Sequence, residues 1–362
     1  MEIFNERAKR PAQIYIQSKG VLKMKKMILM LLISFCFGNA LAGDVSRKGT
    51  TGADQLLIPV GARSIATGGA FIANTIGVEA IYYNPAGLAY SGKSEAMFSL
   101  MSFIADINVS YFAAGANLGE LGSFALSYKG IDFGDIPVTT NNAPDGTGAL
   151  YSPSFYTVGL TYSKIITDRV TIGVNAKLIH EGIMNTSANG FALDFGVQYR
   201  FPGNLSMGVA VKNIGSNMSY SGQDLQQKTS IPETQPGTKL GSFTPVTEDF
   251  QIPSYFVLSA AYKFDINEQN NVLLGTSFRS NNSMEDQIVL GLEYGFMNNF
   301  FLRGGYDMLV ENQSQSIFGF SLGAGVNYSF VDGVDLQFDY AFRDVKEFPT
   351  SNHIFTVKLG FQ

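Results

Sequence analysis

About fourteen stretches of this chain alternate large apolar residues with small or polar ones, one for one. In 189–201, Phe191, Leu193, Phe195, Val197, Tyr199 and Phe201 interleave with Gly190, Ala192, Asp194, Gly196, Gln198 and Arg200. In 317–330, Phe318, Phe320, Leu322, Val326, Tyr328 and Phe330 interleave with Gly319, Ser321, Gly323, Gly325, Asn327 and Ser329. Successive side chains of a strand point to opposite faces, so a period of two builds a ribbon with one bulky apolar face and one small or polar face. The stretches are 94–104, 107–117, 121–131, 155–166, 169–181, 189–201, 204–214, 254–264, 271–280, 286–297, 299–308, 317–330, 333–343 and 353–361. Each is about ten residues long, which suits a tilted membrane strand.

A soluble β-sandwich also alternates, but its outer face is charged. Here charged residues make up only 15% of the chain, against about a quarter in a soluble domain, while Phe numbers 29 and Tyr 17. A β-helix is the other soluble alternative. The pattern predicts an all-β fold instead, a transmembrane antiparallel β-barrel of about 14 strands, with Tyr and Phe near strand ends forming interfacial girdles. Connection lengths agree. Every second one is tight, at Gly119-Glu120, Thr167-Asp168, Pro202-Gly203, Asn298-Asn299 and Asp332-Gly333, and the others include 132–154 and 215–253. The remaining connections of that second set run mostly to five to nine residues, apart from a tight first one near Asp106. Short turns on the periplasmic side and longer loops outside are the habit of outer-membrane barrels, and Phe361 supplies a near-terminal aromatic.

Residues 24–42, "MKKMILMLLISFCFGNALA", have a basic start at Lys25 and Lys26, an apolar run from Met27 to Phe37, and a small-x-small site at Ala40-Leu41-Ala42. They read as a signal peptide cleaved after Ala42. Residues 1–23 precede Met24 and are expected to be a mis-assigned start. The single Cys36 falls inside the apolar run, with Phe35 before it, so neither lipidation nor a disulfide is expected. A net charge of −5 with no basic run in the mature chain argues against nucleic-acid binding. The expected organisation is 24–42 signal peptide, 43–93 N-terminal plug or hatch, and 94–362 barrel.

Residues 43–93 do not alternate. A short helix is expected over 66–74, broken by Gly68-Gly69. Pro85 biases Asn84 towards an extended or turn conformation, the Asn84 side chain can start a turn, and Gly87 permits close backbone approach. Irregular chain cannot face lipid, because each unsatisfied backbone group would cost several kcal/mol there. The segment therefore belongs inside the barrel or at its periplasmic mouth, with Asn84-Pro85-Ala86 as the turn that feeds the first strand.

The stretch "PVGARSIATGGAFIA…GVEAIYYNPAGLA", residues 59–89, resembles the N-terminal signature of FadL-like outer-membrane proteins, and with "GFALDFGVQYRF", 190–201, is most similar to their PorV/PorQ branch. The resemblance implies a 14-stranded barrel closed by the N-terminal segment. By motif, Asn84, Pro85, Ala86 and Gly87 match the plug-to-barrel turn, and Gly61, Ala62, Arg63, Gly68 and Gly69 the preceding signature. For the PorV/PorQ branch it implies a non-enzymatic docking or shuttle component of type IX protein secretion and surface attachment. Translocon subunits and secreted cargo would then bind loops 132–154 and 215–253, the latter carrying Pro232, Pro236 and Pro245. For the wider superfamily it implies transport of a hydrophobic small molecule, the alternative reading.

Other chemistry is weakly signalled. Gly319-Phe320-Ser321-Leu322-Gly323 fits G-x-S-x-G, but inside an unbroken strand, where a nucleophile elbow cannot form. A lipolytic enzyme is thus the least favoured reading. His180 and His353 are far apart in sequence near strand ends, so no metal site is expected, and Asp265 to Asn270 lacks the glycine and distant glutamate of a calcium loop. No cofactor is expected. The inward phase carries Asn175, Lys177, Asp194, Gln198, Arg200, Glu293, Arg303, Asp307, Asp335, Asp339 and Arg343. A network of paired charges that holds the plug is favoured over an open hydrophilic channel.

Overall fold

Fourteen of these stretches form strands of one closed sheet. The computed structural model describes residues 48–229, 241–330 and 333–361. The expected signal peptide, Cys36, Pro232, Pro236 and Asp332 lie outside the described residues. The strands are β1 Ser94–Ser102, β2 Asn108–Asn117, β3 Ser123–Asp132, β4 Ser154–Thr167, β5 Val170–Ile183, β6 Thr186–Arg200 and β7 Leu205–Gly215. They continue as β8 Tyr255–Asp265, β9 Asn271–Asn281, β10 Gln287–Phe296, β11 Phe300–Leu309, β12 Phe318–Ser329, β13 Val334–Val345 and β14 Asn352–Phe361. Each pairs antiparallel with its neighbour in sequence, and β14 pairs with β1 from Ser94↔Phe361 to Ser102↔His353, which closes the barrel. Closure leaves no sheet edge with unpaired backbone groups.

One rim carries the connections 118–122, 168–169, 201–204, 266–270 and 297–299, and residues 330 and 333. The opposite rim carries 103–107, 133–153, 184–185, 216–229 and 241–254, 282–286, 310–317 and 346–351. The connection after β5 is shorter than expected. Apolar alternation lapses over 181–189, yet the ladder continues through Ile183↔Thr186, because strand pairing beyond a lipid belt does not need apolar side chains. The two long connections have ladders of their own, Ile136–Pro137 with Leu150–Tyr151 and Gln227–Thr229 with Gly241–Phe243.

The two faces of the sheet differ sharply. Leu126, Leu160, Leu178 and Leu302 point outward and are each more than half exposed, with Phe98, Phe112 and Phe338 on the same face. Residues 51–92 lie against the inner face. Their short elements are a 3-10 turn Asp54–Leu57, α1 Ala62–Ala66, a 3-10 turn Gly77–Glu79, α2 Ala80–Tyr83 and a 3-10 turn Pro85–Ser91. The helix expected over 66–74 is therefore displaced. It ends at Ala66, and Gly68 and Gly69 take φ values of 64° and 82°, which only glycine adopts without strain. Turns follow.

Glycines on the inner face make room for this segment. A β carbon on Gly208 would meet Ala73 Cα at 2.8 Å, and those on Gly173, Gly196 and Gly305 would collide with Pro85, Asn84 and Thr67. Around the segment Val78, Ile81 and Leu88 bury against Met97, Tyr111 and Ala125 of β1 to β3.

Candidate functional site

The inner segment begins at the rim with the longer connections. Lys48 Nζ meets Glu285 Oε1 at 2.8 Å, and Gly52 N donates to Gln251 O at 3.0 Å. Gly61 (φ 81°) sits against Glu79, which accepts hydrogen bonds from Ser64 N and Ser64 Oγ at 2.9 and 2.6 Å. Ala62 N donates to Thr356 Oγ1 at 2.8 Å. Arg63 binds Glu293 with two donors, Nε at 2.9 Å and Nη2 at 3.1 Å.

Asn84 is fully buried and extended. Its Nδ2 donates to Val197 O and Val209 O at 3.1 and 3.3 Å, and its Oδ1 accepts from Ala86 N at 3.2 Å. It caps the turn Pro85–Ser91, and Gly92 at φ 65° then redirects the chain into β1. Pro85 and Ala86 lie over Gly173, and Gly87 over Thr75.

The inward polar residues gather into separate groups. Arg303 is central to one, with Nε 2.6 Å from Glu293 Oε2 and Nη1 2.6 Å from Asp339 Oδ1. Asp194 is central to another, with Lys177 Nζ at 2.6 Å and Lys212 Nζ at 2.8 Å. Asn213 N and Asn175 Nδ2 also donate to Asp194, at 2.8 and 3.3 Å. Gln198 Nε2 donates to Ile72 O and Thr75 O. Asp335 pairs with Lys93 near the tight rim. Arg200 differs from the expectation of mutual pairing. Its guanidinium stacks 3.5 Å from the Tyr90 ring centroid and forms no ion pair among the described residues.

Further charged residues were not singled out by sequence, among them Lys129, Lys212, Arg279 and Glu79. Lys129, Lys212 and Arg279 follow the inward phase of their strands and could have been found by it. Glu79 lies in the aperiodic segment, where no phase exists.

The weaker motifs resolve simply. Ser321 is buried within β12 opposite Gly305 and Arg343. His180 stacks on Tyr156 and His353 contacts Tyr340. Asn267 Oδ1 accepts from Gln269 N and Asn270 N within the 266–270 turn. Among the described residues no cluster of metal-ligating side chains occurs.

A cavity of about 660 Å³ lies at the rim with the longer connections, between the start of the inner segment and the wall. Leu57, Ile58, Phe103, Phe133, Phe155 and Ile317 make much of its lining apolar. Polar groups converge on one side. Arg343 Nη2 is 3.8 Å from Asp307 Oδ2 and its guanidinium lies over Phe318. Arg279 Nη1 donates to Gln287 Oε1 at 3.2 Å, the guanidinium lies over Tyr255, and Nε is buried without a hydrogen-bond partner among the described residues. The other charged walls are engaged or peripheral: Glu285 with Lys48, Glu181 with Tyr220 Oη at 2.6 Å, and Asp54 at the entry of the segment.

A closed fourteen-stranded antiparallel barrel with a folded inner segment and a rim cavity defines the class. No family model matches the sequence, and no curated protein matches it. Solved structures do. The toluene transporter TodX of P. putida has a TM-score of 0.53 at 14% identity over 84% of this chain and 98% of that chain. A Pseudomonas aeruginosa FadL homologue has a TM-score of 0.51 at 13% identity over 84% and 98%. The CymD monoaromatic hydrocarbon channel has 0.50 at 13% over 84% and 97%. The fold is thus FadL-like.

Proposed function

We propose that this chain is a bacterial outer-membrane channel for a small hydrophobic molecule, and not an enzyme. The inner segment 51–92 is its plug, the rim with the longer connections faces the exterior, and the bulky face of the strands meets lipid. The observation that carries the reading is the 660 Å³ cavity, which falls within the usual range for small-molecule sites and pairs an apolar wall with a few converging polar groups. Likeness in fold to barrels described as a toluene transporter and a monoaromatic hydrocarbon channel supports it. Arg279 refines it. A partly buried guanidinium with no carboxylate within hydrogen-bonding distance among the described residues, and only Asp307 near it, which Arg343 shares, favours an apolar body that carries one anionic head.

Binding of dodecanoate and of dodecanol to the detergent-purified protein, by titration calorimetry, tests this. Dodecanoate binds more tightly in the wild type. Arg279→Leu weakens it about tenfold, roughly 1.4 kcal/mol, and leaves dodecanol unchanged. Failure of both to bind overturns the reading.

The docking or shuttle role in type IX secretion is a second reading. Its support is the residue resemblance of 59–89 and the exposed Phe243 and Val246 in the connection 216–254, side chains that a protein partner would cover. Co-purification of translocon subunits, with loss of surface proteins on deletion, would favour it over transport.

A further inference from the structure

A second, much smaller cavity lies deep between the inner segment and β2 to β6. It measures about 30 Å³ and is lined by Leu56, Ile81 and Tyr82 on one side and by Ser127, Lys129, Thr157 and Lys177 on the other. That space is enough for a single water molecule or a small ion.

Tyr111, Asn175 and the Asp194 carboxylate complete its lining, so its polar walls mix donors with one acceptor that is already engaged. Lys129 Nζ donates to Gln55 O at 2.6 Å and Ile58 O at 3.1 Å and lies 4.9 Å from the Tyr82 ring centroid, which leaves one of its three N–H groups without a hydrogen-bond acceptor among the described residues. Lys177 Nζ spends two on Asp194 and Asn213, which again leaves one. Thr157 Oγ1 is buried, the residue being 7% exposed, and has no hydrogen-bond partner among the described residues.

Charge points the same way. The charges that reach Lys129 are Lys177 and Lys212, of like sign, and Asp194, of opposite sign. The Asp194 oxygens are already taken by two ammonium groups, Asn213 N and Asn175 Nδ2. Three buried lysines therefore lie around one carboxylate that pairs with two of them, an arrangement that a small anion would balance. A water molecule could fill the space but would not offset the charge.

We infer that this cavity is a binding site for a single halide ion, chloride by its size, held by Lys129, Lys177 and Thr157 and clamping the inner segment to the wall. The ion replaces the carboxylate that the cluster lacks.

The test uses full-length mature protein in detergent, with bromide as the probe. Crystals soaked in sodium bromide are measured at the bromine absorption edge. The expected result is one anomalous peak within hydrogen-bonding reach of Lys129 Nζ, Lys177 Nζ and Thr157 Oγ1, lost or strongly reduced in Thr157→Val and in Lys129→Met. Thr157→Val keeps shape and removes only the hydroxyl, so it stays informative if Lys129→Met does not fold. In solution the wild-type unfolding midpoint rises with bromide over gluconate at equal ionic strength, as linkage requires of an ion bound only by the folded state. A wild-type crystal without the peak, or a peak that persists at full strength in both variants, overturns the assignment.

Discussion

Arg303 shows what the interior asks of one residue. Its guanidinium bridges Glu293 and Asp339 at 2.6 Å each, and Glu293 in turn holds Arg63 of the inner segment. Removing the cation leaves two buried carboxylates with too few donors. Arg303→Leu is expected to destabilise the barrel by about 3–5 kcal/mol, the usual cost of breaking a buried ion pair from one side. Chemical denaturation in detergent followed by tryptophan-free far-UV circular dichroism reads this, and an unchanged midpoint would show that the pairs are peripheral. At the residue scale the sequence was partly legible. Asp194, Glu293, Arg303 and Asp339 follow from phase alone, since a charged residue on the inward beat of a strand has nowhere else to go. Which partner each would take did not, because ion pairs such as Arg63–Glu293 span long sequence separations. Arg200 took an aromatic ring in place of a carboxylate for the same reason: Tyr90 comes from the aperiodic segment.

Among the elements, strands were the legible part. Hydrophobic beat placed all fourteen because lipid thickness fixes their length and the pleat fixes their period. It failed at 181–189, where pairing runs on past the apolar pattern, and in the inner segment, where shape is set by the glycine-lined wall it fits and not by any period of its own. The start of that segment is held by an exposed ammonium on a nearly buried carboxylate. The Lys48 ammonium hydrogen-bonded to Glu285 holds this carboxyl below its ordinary value. A depressed carboxyl contributes stability above its ordinary value of about 4.3 and loses it as pH falls through the folded value. A spin label on Thr50→Cys is therefore expected to stay immobile at neutral pH and to loosen as pH falls through and below the ordinary carboxylate range. Glu285→Gln should be loose at every pH. Equal mobility of the two proteins at neutral pH would remove the latch.

For the whole molecule, one physical arrangement underlies everything else: the outer face of the barrel is solvated by hydrocarbon, and the inner face by the chain's own segment, its ion pairs and its cavities. The chain contains no tryptophan, so a single introduced one reports on a chosen position without background. The decisive measurement is fluorescence of Leu126→Trp, Leu160→Trp and Leu178→Trp, with Phe243→Trp in a long connection as reference, after reconstitution into bilayers of brominated lipid. The three outward positions should emit at short wavelength and be strongly quenched by acyl-chain bromine, while Phe243→Trp responds only to a quencher added to the water. Emission from Leu126, Leu160 and Leu178 positions that ignores the brominated lipid and follows the aqueous quencher would contradict the lipid-facing barrel.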